Sequence, residues 1–328
     1  MSSPELELHQ LIEPVEGGLE EMRAVITANL EDASPAVRDM TEHIGRFRGK
    51  QLRGALTLLV ARAHGVYTEE HPTVAAIVEM IHLATLVHDD VLDGAEVRRR
   101  VACVNERWDN QVAVLLGDFL YARAFGLSTT LSSRLASRLL ADTTRRLCVG
   151  EIDQSTLRYH FDMPQEEYER IAAAKTGTLY SAAAELGARY PDGDEAAGAA
   201  MAAFGSEIGL GFQIIDDCLD VVGEEEVVGK SVGNDIDDGK ITLPILCTYQ
   251  QADEQTRAAM RDAYTRPGIE DRRAQLREVC DLGPGTEYAL ARAAELVGRA
   301  MGRLTALPDS PARASLERVG DFVLERRW

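Results

Sequence analysis

Apolar residues recur at helical intervals along most of this chain. Leu52, Leu56, Leu59 and Ala63 stand at i, i+4, i+7 and i+11, one stripe of a helix. Ile77, Ile81 and Thr85 run at four-residue steps into Asp89 and Asp93. The same reading predicts a long helix over 112–131, one from Ile171 to Arg189 that stops near Pro191-Asp-Gly-Asp194, and one over 196–220. The stretch 223–239 breaks the pattern: Gly223, Gly229, Gly233 and Gly239 sit among acids and Lys230, which reads as a loop or lid. No run alternates convincingly as a strand would, and no linker divides the chain. The expectation is all-α, one domain over residues 1–328.

Composition sharpens this. With 45% hydrophobic residues and only 5% aromatic, the apolar content is mostly Ala, Leu, Val and Ile, as in packed helices. A net charge of -19 argues against a nucleic-acid surface, which needs clustered bases. It leaves room for a small phosphorylated substrate held by a local group of bases, or by carboxylates through a divalent metal. Five scattered cysteines without a CxxC pair point to a reduced, cytoplasmic protein. Residues 1–10 have no signal-peptide pattern, and no apolar run approaches the roughly 18 residues of a membrane span, so no transmembrane segment is expected.

Two acidic motifs carry the chemistry. His88-Asp89-Asp90-Val91-Leu92-Asp93 contains DDxxD, and Ile215-Asp216-Asp217-Cys218-Leu219-Asp220 contains it again. On a helix the first and last Asp of each motif share a face one turn apart. Paired carboxylates of this kind suit Mg²⁺, which binds through one or two carboxylates plus substrate phosphates. A solvated acidic face would explain one such motif; two copies after apolar runs are harder to explain that way, because unpaired buried charge is costly. Bases accompany them: Lys50 and Arg53 one turn apart, Arg98-Arg99-Arg100 after the first motif, Lys175-Thr176 in an Ala-rich helix, and Lys230 and Lys240 around the glycine-rich stretch. Together they suggest two anionic groups, one bound through metal and one directly.

In order and spacing the chain resembles the trans-isoprenyl diphosphate synthases, especially their polyprenyl (octaprenyl-type) members. The likeness runs from Gly49-Lys-Gln-Leu-Arg53 to Gly239-Lys-Ile-Thr-Leu-Pro244 and includes His82, HDDVLD, Gly117-Asp-Phe-Leu120, Gly150-Glu-Ile-Asp-Gln154, Lys175-Thr-Gly177 and Gly211-Phe-Gln-Ile-Ile-Asp-Asp217. Arg100, Ala102 and Cys103 stand where that family commonly has Gly and a Pro-Thr or Ala-Thr dipeptide. The resemblance implies the isoprenoid synthase fold, a bundle of long helices around a central cavity, and a homodimer.

It also implies roles. Asp89 and Asp93 would share magnesium ions on an allylic diphosphate, with Asp90 behind them. Asp216 would hold another, supported by Asp217 and Asp220; three Mg²⁺ are expected with substrate, and Mn²⁺ could substitute. Arg98, Lys175, Lys230 and Lys240 would contact the same diphosphate. Lys50, Arg53, His82 and Arg99 would bind isopentenyl diphosphate. Thr176 and Gln213, with Lys175, would serve the allylic centre; Phe212 and Gln154 would line the site. Small Ala84 and Thr85, with Ile81 below them, would let the growing chain pass, with Phe125 an alternative floor. The implied reaction is head-to-tail condensation of isopentenyl diphosphate with a farnesyl, geranyl or dimethylallyl diphosphate through an allylic cation. Products would be all-trans and C30–C50, with geranylgeranyl or farnesyl diphosphate as the shorter alternative, released by transient membrane contact. A terpene cyclase would not need Lys50 and Arg53, and a non-catalytic subunit would lack an acidic motif.

Overall fold

The computed structural model describes residues 9–31, 34–47, 49–98, 101–223, 232–269 and 271–325. The elements that matter for the site are α1 (Leu52–His64), α2 (His71–Leu92), a hairpin of β1 (Val97–Arg98) and β2 (Val101–Ala102), α3 (Asn110–Ser128), α4 (Leu135–Thr156), α5 (Gln165–Ala172), α6 (Thr178–Arg189) and α7 (Glu195–Val222). The hairpin, Val97 opposite Ala102 and Arg98 opposite Val101, is the only strand pair among the described residues, and it corrects the expectation of none.

Local chemistry explains where the helices begin and end. Asp109 accepts from the Val112 amide at 2.7 Å and starts α3. The hydroxyls of Ser128, Thr129 and Thr130 donate to the carbonyls of Phe125, Gly126 and Leu127 and close the helix before Leu131, its predicted end. The helix predicted over 171–189 is α5 and α6 joined by a π turn, Ala173–Gly177. There the Thr178 amide and hydroxyl both donate to the Ala173 carbonyl. Among the described residues, helix α7 holds the most apolar long stretch to which the expectation of no membrane span applies. It is long and apolar enough to cross a membrane by length and composition, although 56% of its apolar window is buried inside the protein.

Two compact units divide the chain: Met1–Thr144 with Leu179–Gly205 and Met301–Val319, and Arg145–Thr178 with Ser206–Ala300 and Gly320–Trp328. The divisions fall inside helices rather than in linkers.

In the first unit α2 supplies the core, with Val74 to Val78, Met80, Ile81, Ala84 and Val87 all buried. Glu79 is buried too, and its carboxylate accepts from the Gly54 amide at 2.7 Å, one of the unpaired donors at the start of α1. Gly117 on α3 is dictated by close approach, because a Cβ there would lie 2.1 Å from Nε2 of His88.

His71, at the start of α2, stacks on Tyr67 at 5.4 Å and takes the Thr68 amide on Nδ1 at 2.8 Å. Burial pushes its pKa down, so the folded protein holds it neutral; His64 is shifted the same way by burial. The unfolded chain protonates His near pH ~6.5. Their contribution is therefore present above that pH and is lost as pH falls through it. Melting curves between pH 7.5 and 5.5 should show wild type losing stability on acidification and His71→Gln losing less, with the remaining slope due partly to His64. Equal slopes would contradict the neutral burial of His71.

In the second unit the residues 206–222 of α7 pack with α5, the π turn and helices Leu243–Gln251, Glu254–Thr265 and Arg272–Val279. Phe161 sits 4.8 Å from Tyr249 and 5.1 Å from Tyr264 by ring centroids. The buried Tyr264 hydroxyl donates to the Lys240 carbonyl at 3.3 Å and fixes the backbone there.

Candidate active site

The first acidic motif forms the last turn of α2. Asp89 is half-buried, Asp93 is exposed at the C-cap, and Asp90 is fully buried. Carboxylates at a helix C-terminus meet the negative end of the macrodipole, worth about 0.3–1 kcal/mol each against them unless a cation is present. Asp90 takes a cation from the chain itself: Arg98 Nε and Nη2 both lie 2.7 Å from its Oδ1. The hairpin presents Arg98 for this contact. Burial pushes the Asp90 carboxyl up and Arg98 opposes the shift. Beside it the buried Cys103 thiol is pushed up to about 12 by burial and by Asp90 itself. Arg99 and Arg100 lie outside the described residues.

At the start of α1, Gln51 adopts a left-handed backbone, φ +50°, between Lys50 and Arg53. Its side-chain oxygen accepts from Arg23 Nε at 2.8 Å, which holds a conformation that non-glycine residues adopt at a cost. Arg53 lies over the Tyr180 ring, 4.4 Å from its centroid. Its Nη1 is 3.0 Å from His82 Nε2. Arginine can only donate, so His82 presents an acceptor there and acts as a support for Arg53. Lys50 is half-buried at the helix entrance.

The chain-length positions divide between two faces of α2. Ile77, Ile81 and Ala84 have no exposed surface, so no open channel touches them in this structure. His82, Thr85, Leu86 and Asp89 are half-buried and form the accessible stripe. Of the pair expected to let a chain pass, Thr85 is on the open side and Ala84 is packed in the core. On α3, Tyr121 lies 5.8 Å from His88 and stacks with Phe125 at 6.4 Å.

The second unit gathers Lys175, Thr176, Gln213 and Asp217. Lys175 Nζ contacts Glu151 at 3.0 Å and Gln154 Oε1 at 3.1 Å. Gly150, on the facing side of α4, lets this approach happen; a Cβ there would meet the Lys175 amide nitrogen at 2.9 Å. Thr176 donates to Gln213 Oε1 at 2.6 Å, and Gln213 Nε2 donates to Asp217 Oδ1 at 2.7 Å. Tyr168, on α5, donates to Asp217 Oδ2 at 2.6 Å. Asp217, expected to support the metal, is thus buried with both oxygens accepting hydrogen bonds. Burial pushes its carboxyl up, and the Asp235 charge adds to the shift. A small pocket of about 30 Å³ is lined by Lys175, Gln213 and Lys240 beside Leu157, Met163 and Ile171.

Asp220, the other expected supporter, accepts from the amides of Gly233 and Asp235, each at 3.1 Å, and anchors the chain after residue 231 to the end of α7. Lys240 is held by Asp235 at 3.2 Å and Asp238 at 2.9 Å. Asp216 and Phe212 are half-buried on α7. Lys230 and the rest of 224–231, most of the stretch read as a loop or lid, lie outside the described residues. Sequence reasoning missed Tyr168, Tyr180, Glu151 and Asp235. Only Glu151 carried a signal, lying within the Gly150–Gln154 motif.

An all-α fold with two helix-end DDxxD motifs, each in a setting of arginine or lysine, defines a class of diphosphate-handling helical enzymes. The family model described as polyprenyl synthetase matches residues 34–281. A short chain isoprenyl diphosphate synthase of Methanothermobacter thermautotrophicus is 36% identical over 92% of this chain and 94% of its own. The octaprenyl diphosphate synthase of Haemophilus influenzae is 30% identical over 98% and 97%. The crystal structure of a polyprenyl synthase from Caulobacter crescentus, complexed with calcium and isoprenyl diphosphate, superposes with a TM-score of 0.93 at 33% identity, covering 98% of both chains. The chain belongs to the polyprenyl synthetase family, has its all-α isoprenoid synthase fold, and is a transferase of prenyl chain elongation.

Proposed function

We infer that this protein is a Mg²⁺-dependent synthase that condenses isopentenyl diphosphate with an allylic diphosphate to give all-trans products of C30–C50. The carrying observation is the stretch from Asp89 to Arg98: two carboxylates one turn apart at the negative end of α2, with an arginine held beside them by a buried third.

The donors fit magnesium. Among the described residues no group of three or more His, Cys, Asp or Glu forms a closed metal cage. An ion at Asp89 and Asp93, or at Asp216, would need phosphate oxygens and water to complete its shell, as Mg²⁺ at a diphosphate does. When bound, it would supply positive charge that neutralises the leaving diphosphate. The Caulobacter neighbour, with calcium and isoprenyl diphosphate, supports a hard divalent cation and this ligand class.

The chain's own residues do the rest. Arg98, Lys175 and Lys240, with Lys230, stabilise negative charge as the allylic C–O bond breaks. Lys50, Arg53 and Arg99 hold the second diphosphate, with His82 supporting Arg53. Thr176 and Gln213 offer oxygen dipoles to the allylic carbon as the new C–C bond forms. Leu157, Met163 and Ile171 keep water from it. The released diphosphate takes the departing proton, and no protein base is assigned.

The relative from Methanothermobacter favours a second reading, a short-chain product such as geranylgeranyl diphosphate. A homodimer in the cytoplasm is part of the proposal; Val114 and Leu115 of α3 are exposed apolar groups suited to a second copy. The test is incubation with labelled isopentenyl diphosphate, farnesyl diphosphate and Mg²⁺, with extracted products sized by chromatography. Label in C30–C50 alcohols after dephosphorylation is expected. Absence of any extended product would refute the activity, and products ending at C20 would select the second reading.

A further inference from the structure

We propose that Tyr168 and Asp217 are positioning residues that fix which end of the Gln213 amide faces the reacting allylic carbon. This rests on the prenyl-transfer reading of the site.

An amide side chain has a positive NH₂ end and a negative oxygen end. At a centre where positive charge develops, the first repels and the second attracts. Thr176 cannot choose between them, because a hydroxyl donates or accepts equally well. The choice falls to the group on the other side. Asp217 Oδ1 accepts from Gln213 Nε2 at 2.7 Å, so Oε1 turns to Thr176, whose hydroxyl donates to it at 2.6 Å. Rotating the amide would set carbonyl oxygen against carboxylate oxygen.

Asp217 keeps this orientation because its other oxygen is tied. Tyr168 donates to Oδ2 at 2.6 Å. The tyrosine is buried on α5, seven residues before Lys175. A hydroxyl donor holds the carboxylate plane without bringing a cation near the allylic carbon. The chain Tyr168, Asp217, Gln213, Thr176 thus links α5, α7 and the π turn through three hydrogen bonds, and Tyr168, Asp217 and Gln213 line one pocket with Lys175. In this arrangement Asp217 serves the amide.

Three measurements test this. Tyr168→Phe should lower kcat about ten-fold with KM for both substrates little changed. In a Gln213→Leu background the same change should cost less than about two-fold, because a residue acting through Gln213 has nothing left to position. Asp217→Leu removes the acceptor of Gln213 Nε2, so nothing holds the amide in one orientation. It should cost about a hundred-fold in kcat while leaving the Mg²⁺ concentration for half-activation unchanged. The third measurement needs no substrate: the Gln213 side-chain amide resonance, identified by its loss in Gln213→Leu, should exchange with solvent faster in Tyr168→Phe than in wild type. Unchanged amide exchange, multiplicative losses in the double variant, or a raised Mg²⁺ requirement in Asp217→Leu would each overturn the proposal. A wild-type chain that forms no extended product would refute the activity instead, and the exchange measurement would still decide the positioning.

Discussion

EDTA is expected to abolish condensation, and added Mg²⁺ or Mn²⁺ to restore it. Asp89→Ala and Asp216→Ala should each lower turnover by about 10²–10³-fold, the scale of losing a main electrostatic contact to a leaving group. The structure adds a control. Asp89 lies in the last turn of α2 and Asp216 is two turns from the end of α7, near the negative ends of both helices. Added Mg²⁺ with inorganic diphosphate should stabilise wild type more than either variant. A variant that kept its rate would remove that carboxylate from the mechanism. A variant that lost both rate and metal-free stability would show it to be structural.

Thr85→Phe should shorten the product towards C15 or C20 and leave the first condensation nearly intact. Thr85 is one turn, about 5.4 Å, below Asp89 on the accessible side of α2. Its hydroxyl donates to the His82 carbonyl at 2.7 Å, so the side chain lies against its own helix and leaves the space beside it open. A phenyl ring there would block a growing tail. Ala84→Phe is a different experiment: Ala84 has no exposed surface, and a ring in that place would overpack the core by about 1–3 kcal/mol. Its expected result is a lower melting temperature. Full-length product from Thr85→Phe would move the chain's path to another face, and the Tyr121–Phe125 pair on α3 would then be the next floor to mutate.

The helices are legible in the sequence where one stripe of apolar residues meets one core, as in α1 and α2. The carboxylate motifs are legible because acids interrupt those stripes. What the sequence does not carry is pairing at a distance. Tyr168 reads as an ordinary buried aromatic, since its partner is 49 residues away. Tyr180 reads the same way until Arg53 is found over its ring. Asp217 and Asp220 match Asp216 in type, yet they are buried where Asp216 is half-buried, a distinction that a motif does not encode. The exposure of Thr85 and the packing of Ala84 are likewise set by neighbours on other helices.

The π turn at Ala173–Gly177 has a consequence for how this segment can vary. A helix with i→i+5 bonds holds one residue more per turn than its flanks, so it is equivalent to an ordinary helix with one residue inserted. Every side chain beyond the insertion is rotated by about 100° relative to those before it. Substitutions around Lys175 and Thr176 leave that rotation alone, whereas loss of one codon among the three alanines before Lys175 would erase it and turn both side chains off their partners. Here the gene encodes the aim of two functional groups in its reading length, and a family alignment that closed the extra position as a gap would remove the feature that points them.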